Sequence, residues 1–240
     1  GDFAESRDLS ITEQIENAKA KVSKKITDGK YIAYFQAFTN TYAPVERLEK
    51  IYMEAINHRD IVAISVGTRP DCLGDDVIDL LERLNKIKPV FVELGLQTIH
   101  KKTAEYIRRG YDLSVYDKAV KELHSVGINV VTHLIIGLPG ESKEDILKSV
   151  EYACRVTDGI KLQLLHILEG TDLAEEYRHG NIDVLSLEEY TDIIKACVEI
   201  IPNNVVIHRL TGDGAKKDLI APLWSADKKK VLNTINKALQ

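Results

Sequence analysis

Two segments of the sequence combine strand-like apolar residues with polar groups that could bind a ligand or move a proton. Residues 93–98 read Glu-Leu-Gly-Leu-Gln-Thr, and residues 133–140 read His-Leu-Ile-Ile-Gly-Leu-Pro-Gly. A third run, residues 160–166, places Lys161 and Gln163 on one face and His166 on the other. A carboxylate, two amides, two imidazoles and an ammonium group can hydrogen-bond a polar ligand or act in acid–base chemistry.

The polar groups of the first segment share one face of a predicted strand, because side chains alternate between the two faces. In residues 90–97 the even-numbered positions are apolar and are expected to pack on helices, while Glu93, Gly95 and Gln97 face the other way. That other side is expected to be the interior of a barrel. Polar groups buried there cost free energy unless they are paired or hydrated. The set therefore predicts either a ligand site or a polar network that orders the core.

Short apolar runs alternate with helical patterns along the whole chain. Strands are predicted at residues 31–36, 61–67, 90–96, 128–136, 160–167 and 205–209, and helices at 10–28, 45–57, 75–86, 101–107, 114–125, 143–156, 187–200 and 226–239. Strands separated by helices of this length form βα units and a parallel sheet. We predict an α/β fold, a partial (βα)6 TIM-type barrel with parallel strands. It is expected to be one domain over residues 1–240, with 210–240 as a C-terminal closing segment and helix.

Composition limits the class of partner. Of the 240 residues 44% are hydrophobic and 29% charged, with a formal net charge of −5 and a pI of about 5.9. This balance makes bulk nucleic-acid binding unlikely unless a local basic patch exists. No apolar run approaches the roughly 18 residues of a membrane-spanning helix, and the start lacks a signal-peptide pattern. The sequence thus predicts a soluble cytoplasmic protein that has no membrane partner.

Several blocks in the same order resemble one branch of the radical SAM superfamily. This is the YhcC-like group, a relative of the elongator catalytic subunit and of coproporphyrinogen dehydrogenase. The blocks are YIAYFQAFTNTYAP at 31–44, GTRPDCL at 67–73, ELGLQT at 93–98, HLIIGLPGE at 133–141, IHRLTGD at 207–213 and APLW at 221–224. The resemblance covers the chain from about residue 1 to residue 240. It implies a parallel barrel that binds S-adenosylmethionine and a [4Fe–4S] cluster.

The resemblance also implies an enzyme. Reductive cleavage of S-adenosylmethionine at the cluster would give a 5′-deoxyadenosyl radical, which abstracts hydrogen from a small-molecule or nucleobase-type substrate. An electron donor such as flavodoxin or ferredoxin is implied as a partner.

The cysteines that hold such a cluster do not stand in this sequence. The superfamily uses a Cys-x3-Cys-x2-Cys loop, and Cys72, Cys154 and Cys197 lie far apart. They form neither that loop nor a Cys-x2-Cys metal site. The chain as given therefore has no residues for reductive cleavage. Because it opens on a helix, whereas barrel units begin with a strand, we expect a first strand and the cluster loop upstream of Gly1.

Positions that match the family pattern imply the cofactor contacts. Gln97 ends the third predicted strand, Arg109 follows twelve residues later, and His133 precedes the Gly-Leu-Pro turn. Those are places where relatives contact the cosubstrate, and the turn at Gly137 and Leu138 is expected to lie against the adenine. The residues expected near the methionine amino end are Gln36, Thr39 and Asn40.

Other polar residues near strand ends are predicted to act on the substrate, because barrel enzymes place chemistry there. The predicted catalytic residues are Cys72, Arg69 and His166. The predicted substrate-binding residues are Glu93, Lys161, Gln163, His208 and Arg209. A heterocycle such as a modified base, for instance in queuine salvage, could stack on Tyr34, Phe38 or Trp224.

Each of these positions also has a simpler interpretation. Arg109 can be a helix-end cation that complements the helix dipole, the Gly-Leu-Pro turn can be only a turn before a helix, and Cys72 can be a small buried hydrophobe. Two departures from the family pattern suggest a different substrate. Residues 108–111 read Arg-Arg-Gly-Tyr where the family usually has Asn-Arg-Gly-His, and Gln163 stands in place of a typical histidine.

Alternatives to the radical enzyme stay open. One is a barrel that has lost the cluster and binds S-adenosylmethionine or another ligand without redox chemistry. Another is a lyase that acts on a modified base such as queuine. A metal-dependent hydrolase using His133, His166 and His208 is disfavoured, because these residues lack the paired His-x-His spacing that brings two imidazoles onto one metal.

Overall fold

The computed structural model describes residues 9–22, 29–36, 38–212 and 216–240. Its helices are α1 Ile11–Val22, α2 Val45–Asn57, α3 Asp75–Asn85, α4 Lys101–Tyr106, α5 Leu113–Ser125, α6 Lys143–Cys154, α7 Asp172–Arg178, α8 Leu187–Ile200 and α9 Lys228–Ala238. Its strands are β1 Tyr31–Phe35, β2 Ile61–Thr68, β3 Val90–Gln97, β4 Asn129–Ile136, β5 Gly159–Leu164, β6 Ile167–Leu168, β7 Val206–Arg209 and β8 Leu219–Ala221. No helix of these residues is long and apolar enough to cross a membrane.

Six strands form one sheet in the order β1-β2-β3-β4-β5-β7. The pairs β1–β2, β2–β3 and β5–β7 are parallel. Strands that follow one another in sequence order, with helices between them, have the topology of a partial TIM-type barrel with six parallel strands. The predicted fold class is therefore confirmed.

Local sequence signals explain where the helices start and which faces they bury. At α6 the Ser142 side chain accepts from the N–H of Asp145 in a capping box, and at α8 Ser186 does the same with Glu189. The apolar face of α3 is buried along its length, as its helical spacing predicts. The predicted helix 10–28 is observed over Ile11–Val22, and its residues 23–28 lie outside the described part of the chain.

The predicted strand 160–167 is wrong in its extent. β5 ends at Leu164, and Ile167–Leu168 pairs antiparallel with β8 in a separate two-stranded sheet. Ile167 continues the apolar pattern because it packs in a small core with Ala174, Ile182 and Ala221, and not because the strand continues. Two further elements were not predicted, α7 and β8, and β8 lies inside the segment 210–225 that the sequence presents as irregular.

The chain divides into two compact units. Unit 1 comprises residues 1–95 and 114–131, and unit 2 comprises residues 96–113 and 132–240. The core of unit 1 contains side chains of α2, α3, α5 and the first strands, among them Leu80 and Val92, which are fully buried. The core of unit 2 contains Leu162, Tyr190 and Ile194, also fully buried. The assignment of residues 1–240 to a single domain stays a prediction.

Candidate functional site

In unit 2, β3 ends in a strained turn at Gln97. This residue has φ 67°, in the left-handed region, and the Thr98 N–H donates to the Leu96 carbonyl at 2.8 Å. The three residues form a γ-turn of the rare left-handed type, which costs a non-glycine residue about 1–3 kcal/mol. The Gln97 side chain is half-buried, and its amide has no hydrogen-bond partner among the described residues. The turn thus places a side-chain amide that can hydrogen-bond a ligand at the carboxyl end of a central strand.

Arg109 holds this turn from both sides. Its side chain is buried, and Nη1 donates to the carbonyls of Leu96 at 3.2 Å and Thr98 at 2.6 Å. Nε and Nη2 both donate to the Tyr111 carbonyl, at 3.0 and 2.9 Å, and the guanidinium lies 4.8 Å from the centre of the Tyr111 ring. The two Nη1 bonds bracket Gln97. The contact between Arg109 and the cosubstrate stays a prediction, because this geometry directs the guanidinium to main-chain carbonyls.

β4 and β5 bring two predicted site residues together. Nε2 of Gln163 lies 3.0 Å from Nδ1 of His133, and both side chains are half-buried. Because an amide nitrogen only donates, Nδ1 accepts in this orientation and the ring proton lies on Nε2. The pair therefore presents a neutral imidazole with a defined tautomer.

The Gly-Leu-Pro turn that follows β4 needs its glycine. Gly137 has φ 89°, and a Cβ at this position would lie 3.0 Å from Cδ1 of Leu185. Leu138 is buried. Beyond the turn, Glu141 accepts a hydrogen bond from the Thr98 hydroxyl, which links the loop after β4 to the loop after β3. Burial raises the pKa of Glu141. Glu141 was not among the predicted site residues, although the acidic residue after Gly-Leu-Pro-Gly was a visible signal.

Two cationic residues are register partners on β5 and β7. Lys161 is buried and lies opposite Arg209 in the parallel register. The third predicted residue here, His208, is placed elsewhere. A Cβ on Gly159 would lie 2.6 Å from its Nε2, so the ring covers the first residue of β5. This is the amino end of the strand, whereas barrel chemistry is built at carboxyl ends.

His166 lies just beyond β5 with its ring against Gly212. A Cβ on Gly212 would be 2.8 Å from Nε2, and that buried nitrogen has no hydrogen-bond partner among the described residues. Burial and the nearby charge of Lys228 lower the pKa of His166, so the imidazole is neutral at pH 7. Its catalytic role stays a prediction. Asp213 of the quoted motif is outside the described residues.

In unit 1, Glu93 forms the centre of a buried polar cluster. Its carboxylate accepts the Tyr34 hydroxyl at 2.8 Å and the Ser65 hydroxyl at 2.6 Å, and only 4% of the residue is exposed. Ser65 was not selected from the sequence, although it is a polar residue in the apolar run of β2. These bonds order the Glu93 carboxylate, and its predicted contact with substrate stays a prediction.

Asn40 joins the turn after β1 to the end of β2. Its Nδ2 donates to the carbonyls of Phe35 at 3.0 Å and Gly67 at 2.8 Å. The other two residues predicted near the methionine end differ in exposure, since Gln36 is exposed and Thr39 half-buried. Their neighbour, residue 37, lies outside the described residues.

Cys72, predicted to be catalytic, is a protonated thiol in this setting. Arg69 binds the carboxylate of Asp71 with two nitrogens at 2.9 and 2.7 Å, which holds the pKa of Asp71 below its usual range. Burial and the Asp71 charge raise the pKa of Cys72, whose Sγ lies 3.9 Å from Oδ1 of Asp71. The residue can donate a hydrogen but is not primed as a thiolate.

The three cysteines do not fit the ligand set of an iron–sulfur cluster. Cys154 and Cys197 are buried, and burial raises their pKa values to about 11 and about 12. A cluster needs thiolates with access to iron. These three cysteines therefore do not supply the thiolates that a cluster requires.

A different set of residues could in principle hold a metal ion. Among the described residues, Glu16, His58 and Asp60 offer ligand atoms within 4.8 Å of one another. The ammonium of Lys19 already contacts both carboxylates, at 2.8 and 2.6 Å. Its charge takes the place that a cation would fill.

Comparison with known proteins identifies the family. The family model described as the Radical SAM superfamily matches residues 3–153, and the one described as the Radical_SAM C-terminal domain matches residues 157–240. The chain is 43% identical over 241 residues to "Uncharacterized protein YtqA" of Bacillus subtilis (strain 168), covering 100% of this chain and 75% of that protein. It is 39% identical over 217 residues to "Protein YhcC" of Escherichia coli (strain K12), covering 90% and 69%.

The fold is also found in a solved structure. The archaeal Methanocaldococcus infernus Elp3 with N-terminus deletion (1–46) superposes with a TM-score of 0.75 at 21% identity, over 97% of this chain. The chain spans 62% of that longer protein, and the likeness shows the fold alone. Together the two family models and the relatives of at least 39% identity lead to one conclusion: the chain belongs to the radical SAM superfamily.

Proposed function

We propose that this chain is the S-adenosylmethionine-binding part of a radical SAM enzyme, with the cosubstrate held in unit 2 by the loops after β3 and β4. The observation that carries the proposal is the Gln97 amide, which is half-buried, uncommitted and fixed in a strained turn. Strained residues that their surroundings hold in place cluster at functional sites. An amide both donates and accepts, which suits the vicinal hydroxyls of a ribose.

The second loop supports the same ligand. Gly137 adopts a positive φ that suits glycine, and the Leu185 side chain packs against it, so the turn has an apolar side that suits a planar base. The next residue, Leu138, is buried, so the side chain that follows the turn is part of an apolar environment. The neutral His133 in its bond to Gln163 adds a polar group whose orientation is fixed.

The substrate proposed is a small molecule, such as a modified nucleobase. Lys161 and Arg209 stand opposite each other in the β5–β7 register. Two cations at this place favour a substrate that carries hydrogen-bond acceptors or negative charge. An electron donor such as flavodoxin or ferredoxin belongs to the same proposal.

An iron–sulfur cluster would supply the electron that cleaves the cosubstrate when it is bound. The cysteines of this chain do not fit that group, and its other residues act on the cosubstrate itself. They bind the adenosine part, orient it through Gln97, and hold a neutral imidazole beside it.

Calorimetric titration with S-adenosylmethionine tests the proposal. Gln97→Ala should bind about tenfold more weakly than the wild-type chain, which is the upper range for one neutral hydrogen bond. Asn203→Ala, which removes an exposed amide far along the chain, is the matched control and should bind as the wild type does. Absence of binding by the wild-type chain, or equal affinity of Gln97→Ala and wild type, would reject the assignment.

A further inference from the structure

The hydroxyl group of Thr98, the residue that follows Gln97, links the strained turn to the next loop of unit 2. Thr98 is fully buried, its hydroxyl donates to the carboxylate of Glu141, and the same oxygen accepts the main-chain N–H of His100 at 3.0 Å. Because Gln97 and Thr98 share a peptide plane, a bond that fixes Thr98 also restricts the main chain of Gln97. Glu141 therefore restrains the turn through its neighbour.

Glu141 is itself fixed to the loop after β4. Its main-chain N–H donates to the carbonyl of Leu138 at 3.2 Å. One residue thus ties together the two loops that are proposed to hold the cosubstrate. The helix that follows does not depend on this carboxylate, because the capping box of α6 is formed by Ser142 and Asp145. A change at Glu141 that preserves its shape should therefore leave the start of α6 intact.

The Glu141 carboxylate lies in a partly buried, polar environment. Burial is the main cause that raises its pKa, while the hydroxyls of Thr98 and Thr103 oppose that effect by favouring the ionised form. Thr103 is a buried residue of α4. The titratable and charged groups around the carboxylate are His100 on the loop after β3, and Asp145 on α6 with Lys148, whose ammonium lies 3.4 Å from it.

Protonation changes what this carboxyl group can do. A carboxylate only accepts hydrogen bonds, and both of its oxygens can take a hydroxyl donor, whereas a carboxylic acid carries a proton of its own on one oxygen. Hydrogen bonds to a charged group are roughly twice as strong as those between neutral groups. The ionised form of Glu141 is therefore the one that holds Thr98 most firmly.

We propose that Glu141 is a positioning residue for the cosubstrate. Its carboxylate, acting through the Thr98 hydroxyl, holds Gln97 in the main-chain conformation that binds S-adenosylmethionine. The affinity for that molecule consequently depends on whether Glu141 is ionised. This inference rests on the proposed function, because it concerns the same two loops, and it assigns no contact between Glu141 and the ligand.

Calorimetric titration with S-adenosylmethionine at a series of pH values tests the effect on binding. Because the pKa of Glu141 is raised, the affinity of the wild-type chain should begin to fall while the pH is still above 4.5, the ordinary value for a glutamate. Glu141→Gln keeps the shape and one acceptor oxygen but carries no charge. At neutral pH it should bind about fivefold more weakly, which is the difference between a charged and a neutral hydrogen bond.

The affinity of Glu141→Gln should also change less with pH, so that the two chains converge at low pH. The histidines are common to both chains, and the difference between the two curves therefore reports Glu141. Glu144→Gln is the matched control, because it removes the same charge from an exposed position nearby in the sequence. It should bind as the wild type does at every pH, and both variants should melt close to the wild-type temperature.

A double-mutant cycle with Thr98→Val tests the route from Glu141 to the turn. If Glu141 acts through the Thr98 hydroxyl, the combined variant should bind no more weakly than Thr98→Val alone. Hydrogen exchange of the chain without ligand gives a second measurement of the same link. In Glu141→Gln the main-chain N–H groups of Thr98 and His100 should exchange faster than in the wild type, and in Glu144→Gln they should not.

Several results would overturn the inference while the proposed function stands. They are equal affinity of Glu141→Gln and the wild type, equal losses in Glu141→Gln and Glu144→Gln, or parallel pH curves for Glu141→Gln and the wild type. Fully additive losses in the cycle with Thr98→Val would also overturn it. If the wild-type chain binds no S-adenosylmethionine, the proposed function fails, and hydrogen exchange alone then decides whether Glu141 holds the turn.

Discussion

Arg109 should contribute to the stability of unit 2 and hold the backbone conformation of Gln97. In Arg109→Met the side chain keeps its approximate length and loses every donor. The carbonyls of Thr98 and Tyr111 then lose the bonds that Arg109 makes to them, while Leu96 keeps its bond from the Thr98 N–H. A buried polar group left unsatisfied costs about 1–3 kcal/mol, so we expect a loss of about 3 kcal/mol. Arg109→Lys can serve one carbonyl and should lose about half as much.

The assay is unfolding in urea together with thermal melting. For a chain of this size each kcal/mol corresponds to about 2–4 °C. The Arg109→Met variant should therefore melt roughly 6–12 °C lower, and it should bind S-adenosylmethionine more weakly because the Gln97 turn relaxes.

The Gln97→Gly variant tests the contribution of the Gln97 side chain to binding separately from the strain of its backbone. Glycine removes the cost of the positive φ, and its greater freedom in the unfolded chain offsets about 0.5–1 kcal/mol of that gain. Stability should stay within about 1 kcal/mol of wild type, while binding of S-adenosylmethionine should weaken about tenfold, as in Gln97→Ala.

One result would refute this reasoning about Arg109. If Arg109→Met melted at the wild-type temperature but no longer bound S-adenosylmethionine, the guanidinium would be a direct ligand and not a clamp on the turn. An unchanged melting temperature together with unchanged binding would show that the carbonyl contacts contribute nothing.

Three further perturbations have definite expected outcomes. Gly140→Ala should cost about 1 kcal/mol because the residue has a positive φ and its Cβ meets no other atom. Gly137→Ala should cost more and weaken ligand binding, because its Cβ also meets Leu185. His166 has a lowered pKa in the folded chain, so the unfolded chain binds more protons and stability should fall as the pH drops below about 6.5. In urea unfolding at a series of pH values, the His166→Phe variant should lose less stability at low pH than the wild type does. His124→Gln, which changes an exposed histidine, should lose as much as the wild type. If His166→Phe lost as much too, His166 would not be the cause. A thiol reagent should slowly modify only Cys72 in the native protein and all three cysteines in denaturant. Modification of all three cysteines in the native protein would contradict the burial of Cys154 and Cys197.

Much of the fold followed from short-range patterns. α2 and α8 were predicted with their observed bounds, because each carries an apolar face at helical spacing. The Ser186 capping box adds a start signal at α8. The strands of the six-stranded sheet were found because each alternates or runs apolar between turn residues. β6 and β8 were missed because each is only two or three residues long and exists through its partner.

In the candidate site, too, the features within one strand were predicted and the contacts between distant segments were not. The face that carries Glu93 and Gln97 was predicted from strand alternation alone. The partner of Glu93 on β2, Ser65, was not, because 28 residues separate the two in the chain.

The sequence by itself determined the α/β class, the order of the strands, the superfamily, and the polar character of residues 93–97. These depend on residue types at fixed local spacing. Only the tertiary structure decided that Arg109 turns back to the carbonyls around Gln97, that His133 meets Gln163, and that His208 covers the amino end of β5. Those outcomes depend on which of several possible partners a long or polar side chain finds, and that choice is made by packing between segments distant in the chain.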